Sequence, residues 1–227
     1  MKKILLTSLA GFGLAASANA MSLTWDNQYM SAGFLYGLSS ANQNIVQDYE
    51  YPDTETTTQI AKDDYNAFGI NLGYGASIYK NVRAEIDFAY KYYLIDSKGK
   101  GVYAGADFDW KQSNFFQLTA NAYYDFDTGS AFTPYVGVGL GMGYTNFKTA
   151  ISDMVEIKYN DASFVYNLML GISYDLSEKL MLDLKYRFVD NVDDITYELE
   201  RTSTYEVDAE LDMQPFHEFI FSVVYKF

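Results

Sequence analysis

Beyond residue 20 the chain alternates: every second side chain is apolar, in stretches of about ten residues, and no apolar run approaches the 18 residues of a membrane-spanning helix. A period of two sends successive side chains to opposite faces of a strand. Phe68, Ile70, Leu72, Tyr74, Ala76 and Ile78 share one face, with Gly69, Asn71, Gly73, Gly75 and Ser77 on the other. Val82, Ala84, Ile86, Phe88, Tyr90 and Tyr92 oppose Arg83, Glu85, Asp87 and Lys91. The pattern recurs at Phe116–Phe126, with Gln117, Thr119, Asn121 and Tyr123 opposite, and at Pro134–Tyr144, where the opposite face is Gly137, Gly139, Gly141 and Gly143. Phe164 to Tyr174 follows, then Leu180 to Phe188 opposite Asp183, Lys185 and Arg187, then Phe219 to Phe227 opposite Glu218, Ser222 and Lys226. A weaker first strand carries Phe34, Tyr36 and Leu38 opposite Gly33 and Gly37, which makes eight.

A soluble sandwich also alternates, but two features favour a closed barrel in lipid. The apolar faces begin and end in aromatic residues (Phe68 and Tyr74, Phe116 and Phe126, Phe164 and Tyr174), as girdles at two membrane interfaces would. The opposite faces carry Arg83, Glu85, Asp87, Lys91, Asp183, Lys185, Arg187, Glu218 and Lys226, which a dry sandwich core would not tolerate cheaply. Inside a narrow barrel these nine are expected to form a lumenal ionic network. Connections supply an independent test: residues 79–81, 127–131 and 177–179 are short turns, while the other four, 40–64, 97–101, 145–161 and 190–215, are mostly longer. Short and long connections alternate, as periplasmic turns and extracellular loops do. The expected fold is all-β: an eight-stranded antiparallel up-and-down transmembrane β-barrel with extended extracellular hairpins.

The first twenty residues read as an export signal: Lys2 and Lys3, an apolar stretch over 4–16, and the small-x-small site Ala18-Asn19-Ala20. Cleavage after Ala20 leaves a barrel domain over 21–227, and losing the two lysines takes the net charge from −14 to −16. That charge excludes nucleic acid as a partner, since phosphate binding needs clustered Lys and Arg. With no cysteine and one histidine, thiol chemistry and multi-histidine metal sites are excluded too. No cofactor is implied.

The run Pro134-Tyr135-Val136-Gly137-Val138-Gly139-Leu140-Gly141, the strand Asp183-Leu184-Lys185-Tyr186-Arg187-Phe188 and the terminal Tyr225-Lys226-Phe227 resemble the OmpX/opacity-type eight-stranded outer-membrane proteins of Gram-negative bacteria. The resemblance spans the whole expected barrel. It implies the cell outer membrane, contact with outer-membrane lipids and lipopolysaccharide, and insertion by the barrel-assembly machinery, with Phe221, Val223, Tyr225 and Phe227 matching the family's terminal recognition signal. It also implies surface roles: antigen, adhesion or host interaction, and envelope integrity.

Two connections hold most of the charge. Residues 41–64 contain six acids against Lys62, and 190–215 contain nine against Arg201, so they carry −13 of the −16. The second also alternates, with Ile195, Tyr197, Leu199, Tyr205, Val207, Leu211 and Met213 on one parity and the acids on the other. A β-hairpin turning near residues 202–204 is expected above the membrane, with Tyr197, Leu199, Tyr205, Val207 and Leu211 as its interaction face. Two further membrane strands are rejected, because their carboxylates would sit in the lumen with only Arg201 nearby. The apolar face has two readings: packing against an extension at 101–110, where Val102, Phe108 and Trp110 alternate, or binding host or matrix proteins by strand addition. The acids lack EF-hand spacing; they solvate the surface, repel neighbouring lipopolysaccharide or bridge to it through divalent cations.

Enzymatic outer-membrane barrels place a histidine beside a serine or paired aspartates. Here His217 falls on the outer face near the rim, while Glu218 falls inward, and Asp193-Asp194 has no histidine partner in sequence. No catalytic set is assigned. A narrow porin-like channel is the alternative function, and a lipid-modifying enzyme the weaker one. Eight strands enclose a space that side chains fill, so the barrel is expected to be plugged, with Tyr93 or Tyr123 occupying room left by the glycine row.

Overall fold

The computed structural model describes residues 27–49, 54–94, 98–100, 107–151, 155–191, 195–201, 205–213 and 215–227, and the side chains within 27–40, 66–93, 114–146, 162–191 and 215–227. Among the described residues eleven strands form, in the order β1 (Gln28–Tyr49), β2 (Thr54–Tyr79), β3 (Val82–Leu94), β4 (Lys98–Lys100), β5 (Asp107–Asp125), β6 (Phe132–Ile151), β7 (Val155–Asp175), β8 (Leu180–Asn191), β9 (Ile195–Arg201), β10 (Tyr205–Met213) and β11 (Phe216–Lys226). Strands β1, β2, β3, β5, β6, β7, β8 and β11 pair antiparallel in sequence, and β11 closes the ring through Tyr29↔Lys226 to Leu38↔His217. This is the eight-stranded closed barrel that the alternation predicts. Closure leaves no sheet edge in the membrane layer, which a lipid environment demands because no water is there to satisfy free N–H and C=O groups.

Burial is inverted relative to a water-soluble domain. Val138, Leu170 and Leu118 are 58%, 57% and 55% exposed, whereas Arg187 and Lys91 are 0% exposed. So much contiguous apolar surface has no place in water; it is the lipid face. Among residues with described side chains, the parities assigned from the sequence hold on every strand, apart from a register shift between Ser77 and Tyr79. At one end the strands join through the tight turns at 80–81, 126–131 and 176–179. Gly129 sits in the middle one at φ 65°, where its N–H donates to Asp127 Oδ1 at 3.0 Å.

The other end differs from expectation. Segments 41–64 and 145–161, anticipated as loops, are largely continuations of strands: β1 and β2 stay paired out to Tyr49↔Thr54, and β6 and β7 to Ile151↔Val155. Their alternation weakens there because neither face is held against lipid, so the period-two signal fades while backbone pairing continues. Strand β2 has 26 residues, about 85 Å of chain at the usual rise. From Tyr74 to Asn66 is eight steps, about 27 Å along the strand and about 20 Å of height at a tilt near 40°. The remainder stands outside the apolar band.

Above that band the strands sort into two four-stranded sheets. One runs β9-β10-β1-β2, with β10 pairing the upper half of β1 from Ala41↔Met213 to Tyr49↔Tyr205. The other runs β4-β5-β6-β7. No strand pairing among the described residues joins them. The hairpin expected over 190–215 is β9–β10; its turn at 202–204 and the side chains of Tyr197, Leu199, Tyr205, Val207 and Leu211 lie outside the described residues. Among the described residues its paired neighbour is β1, and the expected packing of its apolar face against 101–110 falls on side chains outside the description. Val102 and the side chains of Phe108 and Trp110 also lie outside the description, as do residues 1–26 with the export signal.

Candidate functional site

The barrel interior is stacked in layers, each built from inward positions of several strands. At the turn end is an open cavity of about 190 Å³ lined by Gln28, Ser77, Asp125, Thr133, Asp175 and Lys226, among others. Lys226 Nζ meets Asp175 Oδ1 at 2.6 Å across its mouth, both side chains being about two-fifths exposed. Its floor is Arg83, whose Nε and Nη2 hold the two oxygens of Asp125 at 2.7 and 2.8 Å. The guanidinium lies 5.5, 5.0 and 5.0 Å from the ring centres of Tyr29, Tyr123 and Tyr135, a cation–π cage that closes the passage above.

The next layer centres on Glu85. It accepts from Tyr123 Oη at 2.8 Å and Lys185 Nζ at 3.3 Å, and Lys185 also donates to Tyr123 Oη at 3.0 Å. Beside it Asp183 accepts from Tyr135 Oη at 2.9 Å and Ser173 Oγ at 2.7 Å. The glycine row gives this layer its room: a Cβ on Gly137 would strike the Tyr123 ring, and one on Gly143 the Phe115 ring. The rings of Tyr123 and Phe115 on β5 therefore occupy space beside β6 that any larger residue would fill.

Higher up, Arg187 spans the barrel. Its Nε donates to Glu218 Oε2 at 2.6 Å and its Nη1 to Asp87 Oδ1 at 2.8 Å. Lys91 completes the set by pairing with Glu218 and donating to Gln117 Oε1 at 3.1 Å, while Asn71 Nδ2 reaches both Asp87 oxygens at 2.8 Å. All four charged groups are fully buried. In low dielectric such charges persist only when paired and hydrogen-bonded, and here two anions face two cations. A lid of Ala67, Tyr93, Phe115, Val165, Val189 and Phe216 covers them. The Lys91 ammonium sits 4.4 and 4.9 Å from the Phe115 and Phe216 ring centres.

The nine charged residues singled out from sequence thus fall into three clusters rather than one. Arg83 and Lys226 stand at the turn-end mouth, Glu85, Asp183 and Lys185 in the lower layer, and Asp87, Lys91, Arg187 and Glu218 in the upper. Their partners Tyr29, Asn71, Gln117, Asp125, Tyr135, Ser173 and Asp175 were not counted in that network, although Asn71 and Gln117 already stood on the inward faces read from sequence. Sequence spacing could not say which charge meets which, because Arg187 reaches a residue 100 positions away.

On the outside, tyrosines at the far rim bond polar groups on the neighbouring strand. Tyr36 donates to Asn66 at 2.9 Å, Tyr90 to Asn114 at 2.7 Å and Tyr166 to Asp190 at 2.6 Å. Tyr186 Oη shares a hydrogen bond with His217 Nδ1 at 2.7 Å. At the turn end Tyr74 bonds Gln28 in the same manner. Each of these tyrosines sits on the outer parity with its hydroxyl bonded to a polar group on the neighbouring strand, a pairing of apolar ring and polar tip that suits membrane interfaces. His217 belongs to this belt, stacked on Tyr186 at 6.1 Å and edge-on to Phe188, whereas its neighbour Glu218 faces the lumen. The terminal Phe221 and Val223 lie on the lipid face, and Tyr225 packs edge-on against Phe227.

A family model described as "Outer membrane protein beta-barrel domain" matches residues 4–227. The chain belongs to that family. For this outer-membrane barrel, the tight-turn end is the periplasmic one and the two raised sheets are extracellular. The barrel is 22% identical over 189 residues to the outer membrane protein PagN of Salmonella typhimurium, covering 74% of this chain and 78% of that one. An uncharacterized protein of Brucella abortus is 31% identical over 90 residues, 36% of this chain, and the matched stretch spans only 32% of that relative's length. Among solved structures, OprG from Pseudomonas aeruginosa superposes with a TM-score of 0.60 at 14% identity, covering 88% of this chain and 96% of OprG. That likeness is one of fold.

Proposed function

We propose that this outer-membrane barrel is a non-enzymatic surface protein, in which a plugged barrel anchors two acidic β-sheets that contact host or matrix proteins, or neighbouring envelope components. The observation that carries this reading is the division of the strands: β1, β2, β6 and β7 each run well past the membrane and remain paired there, while the lumen beneath is filled by ion pairs and rings. A conduit would need the reverse, an open lumen. Strand addition is the favoured binding mode, since among the described residues β9 pairs only with β10, and β2 from Thr54 to Tyr65 only with β1. Lipopolysaccharide is the proposed lateral partner, through the tyrosine belt and through divalent cations bridging the acidic segments. Export with cleavage after Ala20, and insertion by the barrel-assembly machinery through Phe221, Val223, Tyr225 and Phe227, complete the proposal.

The test is to replace residues 192–214 by a short Gly-Ser turn and measure attachment of intact cells to host cells and matrix proteins. Attachment is expected to fall while the heat-modifiable migration of the folded barrel persists; unchanged attachment rejects the binding role. Lipid A mass spectra from cells expressing the protein or its His217→Ala variant are expected to match those of cells without it, and a changed spectrum would instead point to an enzyme.

A further inference from the structure

From the Arg83 cage upward the lumen is filled by side chains, but at the periplasmic mouth it is not. An eight-stranded interior is either filled by its own residues or holds one small ligand. The mouth cavity of about 190 Å³ is bounded by two ion pairs that differ in exposure. At its floor Arg83 and Asp125 meet at 2.7 Å with side chains 13% and 21% exposed; at its entrance Lys226 and Asp175 meet at 2.6 Å with side chains 38% and 41% exposed. Between the pairs the wall carries the small hydroxyl residues Ser77, Thr133 and Ser173, with Met181 as an apolar patch. The next layer instead carries Tyr123, Tyr135 and Lys185, all buried and in mutual contact with the carboxylates there. Small residues at the mouth therefore keep open a space that larger ones close one layer further in.

We propose that this cavity binds an α-amino-carboxylate, the zwitterionic centre of a free amino acid or of a cell-wall peptide, with the carboxylate on Lys226 and the ammonium on Asp175. The signs of the lining charges select the ligand. An inorganic anion entering the cavity meets Asp125 and Asp175, and a metal cation meets Arg83 and Lys226. A neutral sugar leaves both ion pairs as they are and gains only the hydroxyls. A zwitterion inserts between Lys226 and Asp175 and gives each a new partner, so no charge loses its counter-charge. This is the pair that opens, because a partly exposed ion pair is worth little and parting it costs little. Arg83 stays in place, held by both oxygens of Asp125 and caged by the rings of Tyr29, Tyr123 and Tyr135. The site is thus a dead end and not a passage. Size agrees: a cavity of about 150 Å³ accommodates benzene, so this one has room for a guest such as alanine or threonine.

Methionine methyl resonances of the full-length barrel in lipid nanodiscs give a local readout, because Met181 lines the cavity while Met30 lies on the lipid face. Titration with L-alanine is expected to shift Met181 saturably, with a millimolar dissociation constant, and to leave Met30 unmoved. N-acetylalanine lacks the cation and alanine amide lacks the anion; each is expected to bind at least about tenfold more weakly, the loss of one charged hydrogen bond. The same loss is expected for alanine with Asp175→Asn or Lys226→Gln. A tripeptide ending in meso-diaminopimelate, whose side chain carries the same centre, separates the sources: tighter binding than alanine assigns the site to cell-wall peptide, weaker binding to free amino acids. The proposal is overturned if alanine gives no saturable Met181 shift, or if either capped form binds the wild-type barrel as tightly as alanine does, whether or not the variants fold. Unchanged affinity in a folded Asp175→Asn overturns it as well.

Discussion

Arg187→Leu is the sharpest test of the plugged interior. The upper layer holds two carboxylates and two cations, all fully buried, and Arg187 is the only one of the four that bonds both anions. Leucine leaves Glu218 with Lys91 and Asp87 with Asn71, so a net charge of −1 remains without access to bulk water. Breaking a buried ion pair by deleting one partner costs about 3–5 kcal/mol, because the survivor stays buried and uncompensated. With a urea dependence of about 2 kcal/mol per molar, the unfolding midpoint in lipid vesicles is expected to drop by roughly 2 M. The assay is the equilibrium fraction that retains fast electrophoretic migration without heating. Adding Asp87→Asn restores neutrality in the layer, and the double variant is expected to recover more than about 2 kcal/mol relative to additivity. A midpoint lowered by less than about 0.3 M, or a strictly additive double variant, would refute the argument that these charges stand or fall together.

Two further outcomes follow from the same inside-out design. Arginine at Val138, 58% exposed near the middle of the lipid-facing run Pro134–Tyr144 of β6, is expected to destabilise the barrel by about 2–4 kcal/mol, and arginine at Tyr144 nearer the rim by about 0–1 kcal/mol; equal costs in vesicle refolding titrations would show that the two positions do not differ in membrane depth. Planar bilayers containing the purified protein are expected to show no steady large openings, because the Arg83 cage, the upper ion layer and the aromatic lid each close the lumen; sustained conductance would show that the plug moves.

The barrel itself was legible because lipid enforces one rule on every strand: apolar out, polar in, period two. That rule fixed the strand number, the short turns and the inward set from Arg83 to Lys226. It could not fix the partners, because lumenal contacts join strands far apart in sequence: Glu85 meets Lys185 and Asp87 meets Arg187, both across 100 residues. Nor could it show that 41–64 and 145–161 stay in strands. There water lies on both sides and satisfies any backbone group that is not paired, so side-chain pattern no longer constrains the chain. The 190–215 hairpin was readable only because apolar residues happen to keep their parity there.

Strand β1 links the two halves of the molecule. Its residues from Tyr29 to Leu38 pair with β11 inside the membrane, and from Ala41 to Tyr49 with β10 above it, while β2 runs beside both. The register of the outer sheet is therefore set by the barrel and not by the outer side chains. A one-residue slip above would propagate below and turn every lipid-facing residue of β1 into the lumen, unless a bulge absorbed it. The irregularity between Gln43 and Asn44 lies at that junction, just outside the apolar band. Below it the ladder is held by lipid on one side and by the ion layers on the other; above it, sequence can change with little consequence for the anchor. The barrel therefore identifies the fold, and fold alone does not name a function.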